Sequence, residues 1–188
     1  MPLSQLDKHS ALILIDLQQG IVALPTVHPA SDIVNRANSL THAFRARHLP
    51  VVLVNVAGAP AGRTEQKIPP MTFTPEWSML TPELEQQASD FRITKRQWGA
   101  FHQTGLHDWL QQQGVTQIVL AGISTSKGVE STARNAHEHG YNVALVIDAM
   151  TDRNIEAHRN SIEKIFPALG ETTTTNNLLH LLATQADN

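Results

Sequence analysis

A chain of 188 residues is long enough for one domain to bury roughly 70% of its unfolded-chain surface and cramped for two. With 41% apolar and 16% charged residues and a formal net charge of -3, it lacks the basic balance that nucleic-acid binding calls for. The early apolar run at residues 11–15 is far short of the ~20 residues that cross a bilayer, so no membrane partner is expected.

The first ten residues lack the basic, apolar and small-residue sections of a secretory signal, and a cytoplasmic protein is expected. The chain has no cysteine, which excludes disulfides, thiolate metal sites and thiol nucleophiles in any compartment.

Short β-branched runs alternate with longer amphipathic stretches, as in βαβ units wound into a parallel sheet. Residues 11–16 read as the first strand. Ile33, Val34, Ala37, Leu40 and Phe44 then recur at helical spacing behind a cap at Ser31. Pro50 opens a second strand at 51–56, apolar apart from Asn55, as a strand covered on both faces should be. The proline-rich stretch 57–82 has no clear periodicity and reads as a long excursion that forms a lid or contact surface.

A third strand spans 91–94 and leads into Lys95; a helix over 106–113 ends at Gly114, and a fourth strand covers 117–121. Residues 122–140 begin as a Gly/Ser/Thr-rich turn and become a helix stopped by Gly140. A fifth strand at 143–148, a helix over 154–166, a short edge strand at 172–175 and a last helix near 178–182 complete the pattern. The expected architecture is a three-layer α/β/α sandwich with a mainly parallel central sheet, in one domain spanning 1–188.

Ligands of such sheets bind at the carboxyl ends of the strands. There strand one ends in Asp16, strand three runs into Lys95, and strand four opens into the small-residue turn after Gly122. A carboxylate beside a low-dielectric wall can hold a proton near neutral pH, a nearby ammonium favours its ionised form, and free N–H groups at a helix start offer an oxyanion site. Each signal alone has a plain alternative: a turn-forming Asp, a solvated Lys, a Ser/Thr helix cap. Their coincidence at successive strand ends favours a functional cleft.

The segments ALILIDLQQG, TKRQWGAFHQTGL and QIVLAGISTSKGVESTARNAHEHGYNVALVIDAMTD resemble the three signature regions of the isochorismatase-like, or cysteine hydrolase, superfamily. That family uses an Asp–Lys–Cys triad. The resemblance places Asp16 and Lys95 in the first two positions and Gly128 in the third, where relatives read close to T-N-x-C-V-E-S-T-A-R. Isochorismatases of the superfamily tend to carry glycine there and hydrolyse a vinyl ether with water. The resemblance therefore implies a cofactor-free hydrolase of a small organic molecule. Asp16 would protonate the enol-ether carbon and Gly128 would make room for substrate or water. It also implies a non-proline cis peptide near Ile123–Ser124 that aims N–H groups at substrate, and a homodimer or homotetramer.

The superfamily's nicotinamidase branch binds a metal through groups after the second strand. Here Asn55, Val56, Ala57 and Gly58 offer neither carboxylate nor imidazole, so no metal is expected. His137, His139, His102 and His107 read better as surface or structural residues. Arg63, Lys67, Arg96 and Lys127 are candidate partners for substrate carboxylates, with ordinary surface charge as the alternative. Trp77, Trp98 and Phe101 would wall a small apolar substrate, or simply pack in the core. Ser124, Ser126 and Ser131 are disfavoured as nucleophiles, because a helix-capping role explains them. Two rivals stay open: a non-catalytic binding or scaffold protein that kept the pocket, and an amidase working without cysteine.

Overall fold

A computed structural model describes residues 3–66 and 72–184; Lys67 lies outside them. In chain order the elements are β1 (Ser10–Ile15), α1 (Gln19–Val22), α2 (Ala30–Ala46), β2 (Val51–Val56), α3 (Pro75–Ser78), β3 (Phe91–Lys95), α4 (Leu106–Gln112) and β4 (Gln117–Ile123). A π-helical turn (Thr125–Val129) follows, then α5 (Glu130–Glu138), β5 (Asn142–Thr151), α6 (Ile155–Asn160), a second π turn (Ser161–Ile165), α7 (Phe166–Leu169), β6 (Glu171–Thr173) and α8 (Thr175–Thr184).

The six strands form one sheet in the order β3-β2-β1-β4-β5-β6, every pair parallel. The chain starts at the centre, winds outward to β3, then returns to build β4 to β6 on the other side. The winding direction thus reverses between β1 and β4, and the loops leaving those two strands part to open a crevice at their carboxyl ends.

Pleat alternation divides the core in two. Leu12, Leu14, Leu53, Val119 and Ala121 pack against Ile33, Ala37, Leu40 and Phe44 of α2 and Leu178 and Leu182 of α8. Ile13, Ile15, Val54, Ile118 and Leu120 face the opposite way, onto Leu106 and Leu110 of α4, Ala133 and Ala136 of α5, and Phe166. Helices on both faces explain why β1 is buried along its whole length. Among the described residues no helix is long and apolar enough to cross a membrane.

Three expectations need correction. Ser31 does not cap α2; Pro29 holds the N-cap position without a side-chain bond and Ser31 lies in the first turn. β5 is longer than its apolar run: its register with β4 jumps from Leu120↔Leu145 to Gly122↔Met150, and the irregularity carries the strand on to Thr151. The threonine run at 172–175 divides, because Asp148 Oδ1 accepts both the amide (2.7 Å) and the hydroxyl (2.9 Å) of Thr175 and so caps α8 where a strand was expected to continue.

Gly122 is the tightest crossing of the sheet centre. Its φ is +120°, and a Cβ there would lie 2.1 Å from the backbone oxygen of Ile15. Because that neighbour is backbone, relief requires moving β1 against β4. Gly122→Ala is expected to lower stability by about 3 kcal/mol or more, read as a lowered urea midpoint with unchanged slope.

Candidate active site

Asp16 is the first residue beyond β1 and takes φ +52°, the left-handed region, which Asp tolerates better than most residues. That conformation breaks the strand alternation as the chain leaves the sheet. Lys95 ends β3, and β2 lies between the two strands, so only a long side chain can make the connection. It does: Lys95 Nζ donates to Asp16 Oδ2 at 2.7 Å and to the carbonyl of Gln97 at 3.2 Å. The side chains are 1% and 7% exposed, so this is a buried ion pair.

The other carboxylate oxygen, Asp16 Oδ1, is buried without a hydrogen-bond partner among the described residues. Burial pushes the Asp16 carboxyl up to about 6, outweighing the Lys95 charge and hydrogen bond, which pull it down. The group is thereby poised between its two protonation states near neutral pH.

β4 delivers the third component. The Ile123–Ser124 peptide is cis, and the π turn that follows lays Gly128 against the pair. A Cβ on Gly128 would lie 2.8 Å from Ile15 Cγ2, 3.3 Å from Asp16 Oδ2 and 3.6 Å from the Trp98 carbonyl oxygen. The structure thus gathers residues 16, 95 and 128. It also changes the expected part of the glycine, which lets backbone close on Ile15 and Asp16 where a void was anticipated.

Several residues that hold the π turn were missed in the sequence. Asp152, buried at the end of β5, accepts the amide and hydroxyl of Ser126, both at 2.8 Å, and the amides of Arg153 (2.7 Å) and Asn154 (3.3 Å). Thr125 Oγ1 lies 2.8 Å from His158 Nδ1, and both residues are buried. Burial, followed by the neighbouring His28, holds the His158 imidazole below its usual range. Thr132 accepts the Ala100 amide (3.1 Å) and donates to the Gly128 carbonyl (2.7 Å).

The capping explanation of the serines is corrected accordingly. Ser124 is the N-cap of the π turn but makes no side-chain cap bond, and the Ser126 amide is satisfied by Asp152. Asp152→Ala would orphan up to four buried or half-buried donors and is expected to cost about 3 kcal/mol, measured as the change in unfolding free energy in urea.

The expected substrate-wall residues scatter. Trp98 is 54% exposed and Lys127 Nζ stands 5.6 Å from its ring centroid, so these two mark the rim beside Gly128. Ile123 puts its side chain into the α2-side core. Ser124 is half-buried. Trp77 covers Gly20, where a Cβ would meet its ring at 2.0 Å, and packs edge-on to Phe73. It is tied down by Gln18, whose Nε2 donates to the carbonyls of Trp77 (3.1 Å) and Val56 (3.0 Å).

Phe101 runs along α5 to meet Tyr141 and His139, away from the Asp16–Lys95 pair. Arg63 is exposed on the excursion, and Arg96 Nη1 donates to the Ala57 carbonyl (3.2 Å). His107 stacks on His139 with centroids 4.0 Å apart and meets the Tyr141 hydroxyl at 3.0 Å. The end of β2 does not suit a metal: Asn55 Nδ2 donates to the Ser78 carbonyl (2.9 Å) and its Oδ1 accepts the Thr94 hydroxyl (2.8 Å). Among the described residues no group of three His, Asp, Glu or Cys is placed to hold an ion.

The buried carboxylate–ammonium pair thus sits at the switch point of a doubly wound parallel sheet, where open α/β sheets bind ligands. Residues 10–177 match the isochorismatase domain, and the chain belongs to the isochorismatase family. It is 41% identical over 182 residues to the uncharacterized isochorismatase family protein YecD of Escherichia coli O157:H7, covering 93% of this chain and 97% of that one. It is 29% identical to maleamate amidohydrolase of Pseudomonas putida, covering 92% and 86%. A solved isochorismatase family protein from Burkholderia thailandensis superposes with a TM-score of 0.89 at 42% identity, covering 97% of this chain and 99% of that one.

Proposed function

We propose that this isochorismatase-family hydrolase acts on a small organic substrate by Asp16 acid–base chemistry with direct water attack, forming no covalent thioester, and that a vinyl ether such as isochorismate is its preferred substrate class. The observation that carries the reading is Asp16 itself: buried, raised to about 6, with Oδ2 bonded to Lys95 and facing Gly128 and with Oδ1 buried and unpartnered. With no cysteine in the chain, Gly128 stands where the family's nucleophile would be, and water takes over the attack.

In the proposed reaction protonated Asp16 gives its proton to the terminal enol-ether carbon. The Lys95 ammonium stabilises the carboxylate left behind. Water adds to the oxocarbenium carbon and returns a proton to Asp16. The resulting hemiketal then breaks its C–O bond, releasing a keto acid and an alcohol. Trp98 and Lys127 form the rim that a substrate meets first, and Ser124 lines the turn.

The test incubates purified protein with isochorismate and a panel of small amides and follows products by mass. Pyruvate from isochorismate with inert amides supports the reading; amide turnover alone replaces it with the non-cysteine amidase, a possibility raised by the maleamate amidohydrolase relative. A ligand-induced melting shift without turnover of any panel member indicates a binding protein. The close approach of Ile15 to Gly128 is the feature that favours that last alternative.

A further inference from the structure

Strand β3 alternates: Ile93 and Lys95 are buried toward α4, whereas Arg92 and Thr94 are exposed on the opposite face. On that face α2 and α8 cover the centre of the sheet, and the edge formed by β2 and β3 is left to the segment around α3. Between that segment and the sheet lies an open-sided cavity of about 430 Å³. It sits across the sheet from the Lys95 side chain, apart from the Asp16 site.

Its walls are unevenly furnished. Leu53, Met79 and Leu80 supply apolar surface, and Met79 is 55% exposed. Thr94 and Asn55 are spent on each other and on the Ser78 carbonyl. Arg92, by contrast, makes no ion pair or side-chain hydrogen bond with any described residue. Asp90, two residues before it in the chain, is paired with Arg45. Ser78 also lines the cavity, though its Oγ is buried away from it.

A permanent cation beside an apolar wall forms a complement to a particular ligand. A carboxylate pairs with the guanidinium in two parallel bonds, and an attached apolar body covers Leu53, Met79 and Leu80. An inorganic oxyanion leaves the apolar wall wet, an organic cation meets Arg92 with like charge, and a neutral molecule leaves the guanidinium without a counter-charge. We propose that this cavity is a second ligand site, independent of the hydrolysis, that binds a small organic carboxylate with an apolar body.

The test titrates the 15N-labelled full chain with benzoate and, in parallel, with benzamide, its neutral counterpart of similar shape. Benzoate is expected to shift amides of residues 53–57, 78–80 and 92–94, with benzamide at least about tenfold weaker. Arg92→Gln should weaken benzoate about tenfold or more, Arg92→Lys less, and Asp16→Asn should leave these shifts unchanged. The proposal is overturned by absence of benzoate shifts in this region, by equal affinity for benzamide, by an unaltered Arg92→Gln titration, or by shifts centred on residues 16, 95 and 128. The benzamide comparison decides the matter even where a variant folds poorly, and none of these readouts depends on turnover.

Discussion

Asp16→Asn is expected to reduce turnover by about 10²–10⁴-fold while the protein stays folded, because asparagine keeps the shape of the side chain and can neither give nor take the proton. Mass-resolved product formation with isochorismate, wild type against variant, measures it; undiminished turnover would remove Asp16 from the chemistry. The pH profile separates the readings further. If the protonated carboxyl is the acid, kcat/KM falls about tenfold per pH unit above the Asp16 value of about 6. If the carboxylate is a base, as in an amidase, activity falls on the acid side instead. Lys95→Met removes both influences that lower the Asp16 value, so in the first case the alkaline limb shifts upward in pH.

The same group has a stability signature. In the folded chain Asp16 holds its proton to about 6 against 3.8 for the free side chain. Between those values the native state binds more protons than the unfolded state, so stability falls as pH rises from about 4 through 6, by on the order of 3 kcal/mol. His158 works in the opposite sense: its depressed value makes the native state shed its proton early, so its contribution grows as pH rises toward 6.5. Subtracting the urea-unfolding profile of Asp16→Asn from that of wild type isolates the falling component. A flat difference between pH 4 and 6 would mean that Asp16 is not desolvated as described.

How much of this was legible beforehand follows from what kind of interaction decides each feature. The parallel sheet was readable because β1, β2 and β4 are buried on both faces and declare it as unbroken apolar runs. Asp16 was readable because it ends such a run at the carboxyl edge, and Lys95 because it closes the short alternating strand β3. What escaped depends on long-range geometry. Asp152 looks like an ordinary turn aspartate until the irregular β5 register carries it beneath Ser126. Thr125 and His158 are 33 residues apart in sequence, and no periodicity ties them. Trp77 and Phe101 were plausible walls by composition, yet Trp77 is claimed by Gly20 and Phe101 by the far end of α5. Arg92 and Ser78 carry no motif; only coordinates bring them to one cavity.

Substitution of Gly128 tests the closest contact in the site. Gly128→Ala places a methyl 2.8 Å from Ile15 Cγ2 and 3.3 Å from Asp16 Oδ2. The first distance demands a shift, and because Ile15 is β-branched and held in the core its methyl cannot swing aside. Overpacking of this kind costs about 1–3 kcal/mol, and a displacement passed to Asp16 disturbs the bond to Lys95. Turnover is therefore expected to fall at least about tenfold in Gly128→Ala and further in Gly128→Cys, with no gain of amide hydrolysis in the latter. Ile15→Ala removes the colliding methyl. In the double variant the alanine at 128 should then cost much less than it does alone, an interaction energy that a double-mutant cycle reads from both urea unfolding and product formation. Additive effects would show that Ile15 is not what closes on Gly128, and amide turnover by Gly128→Cys alone would show that the site still accommodates a working thiol.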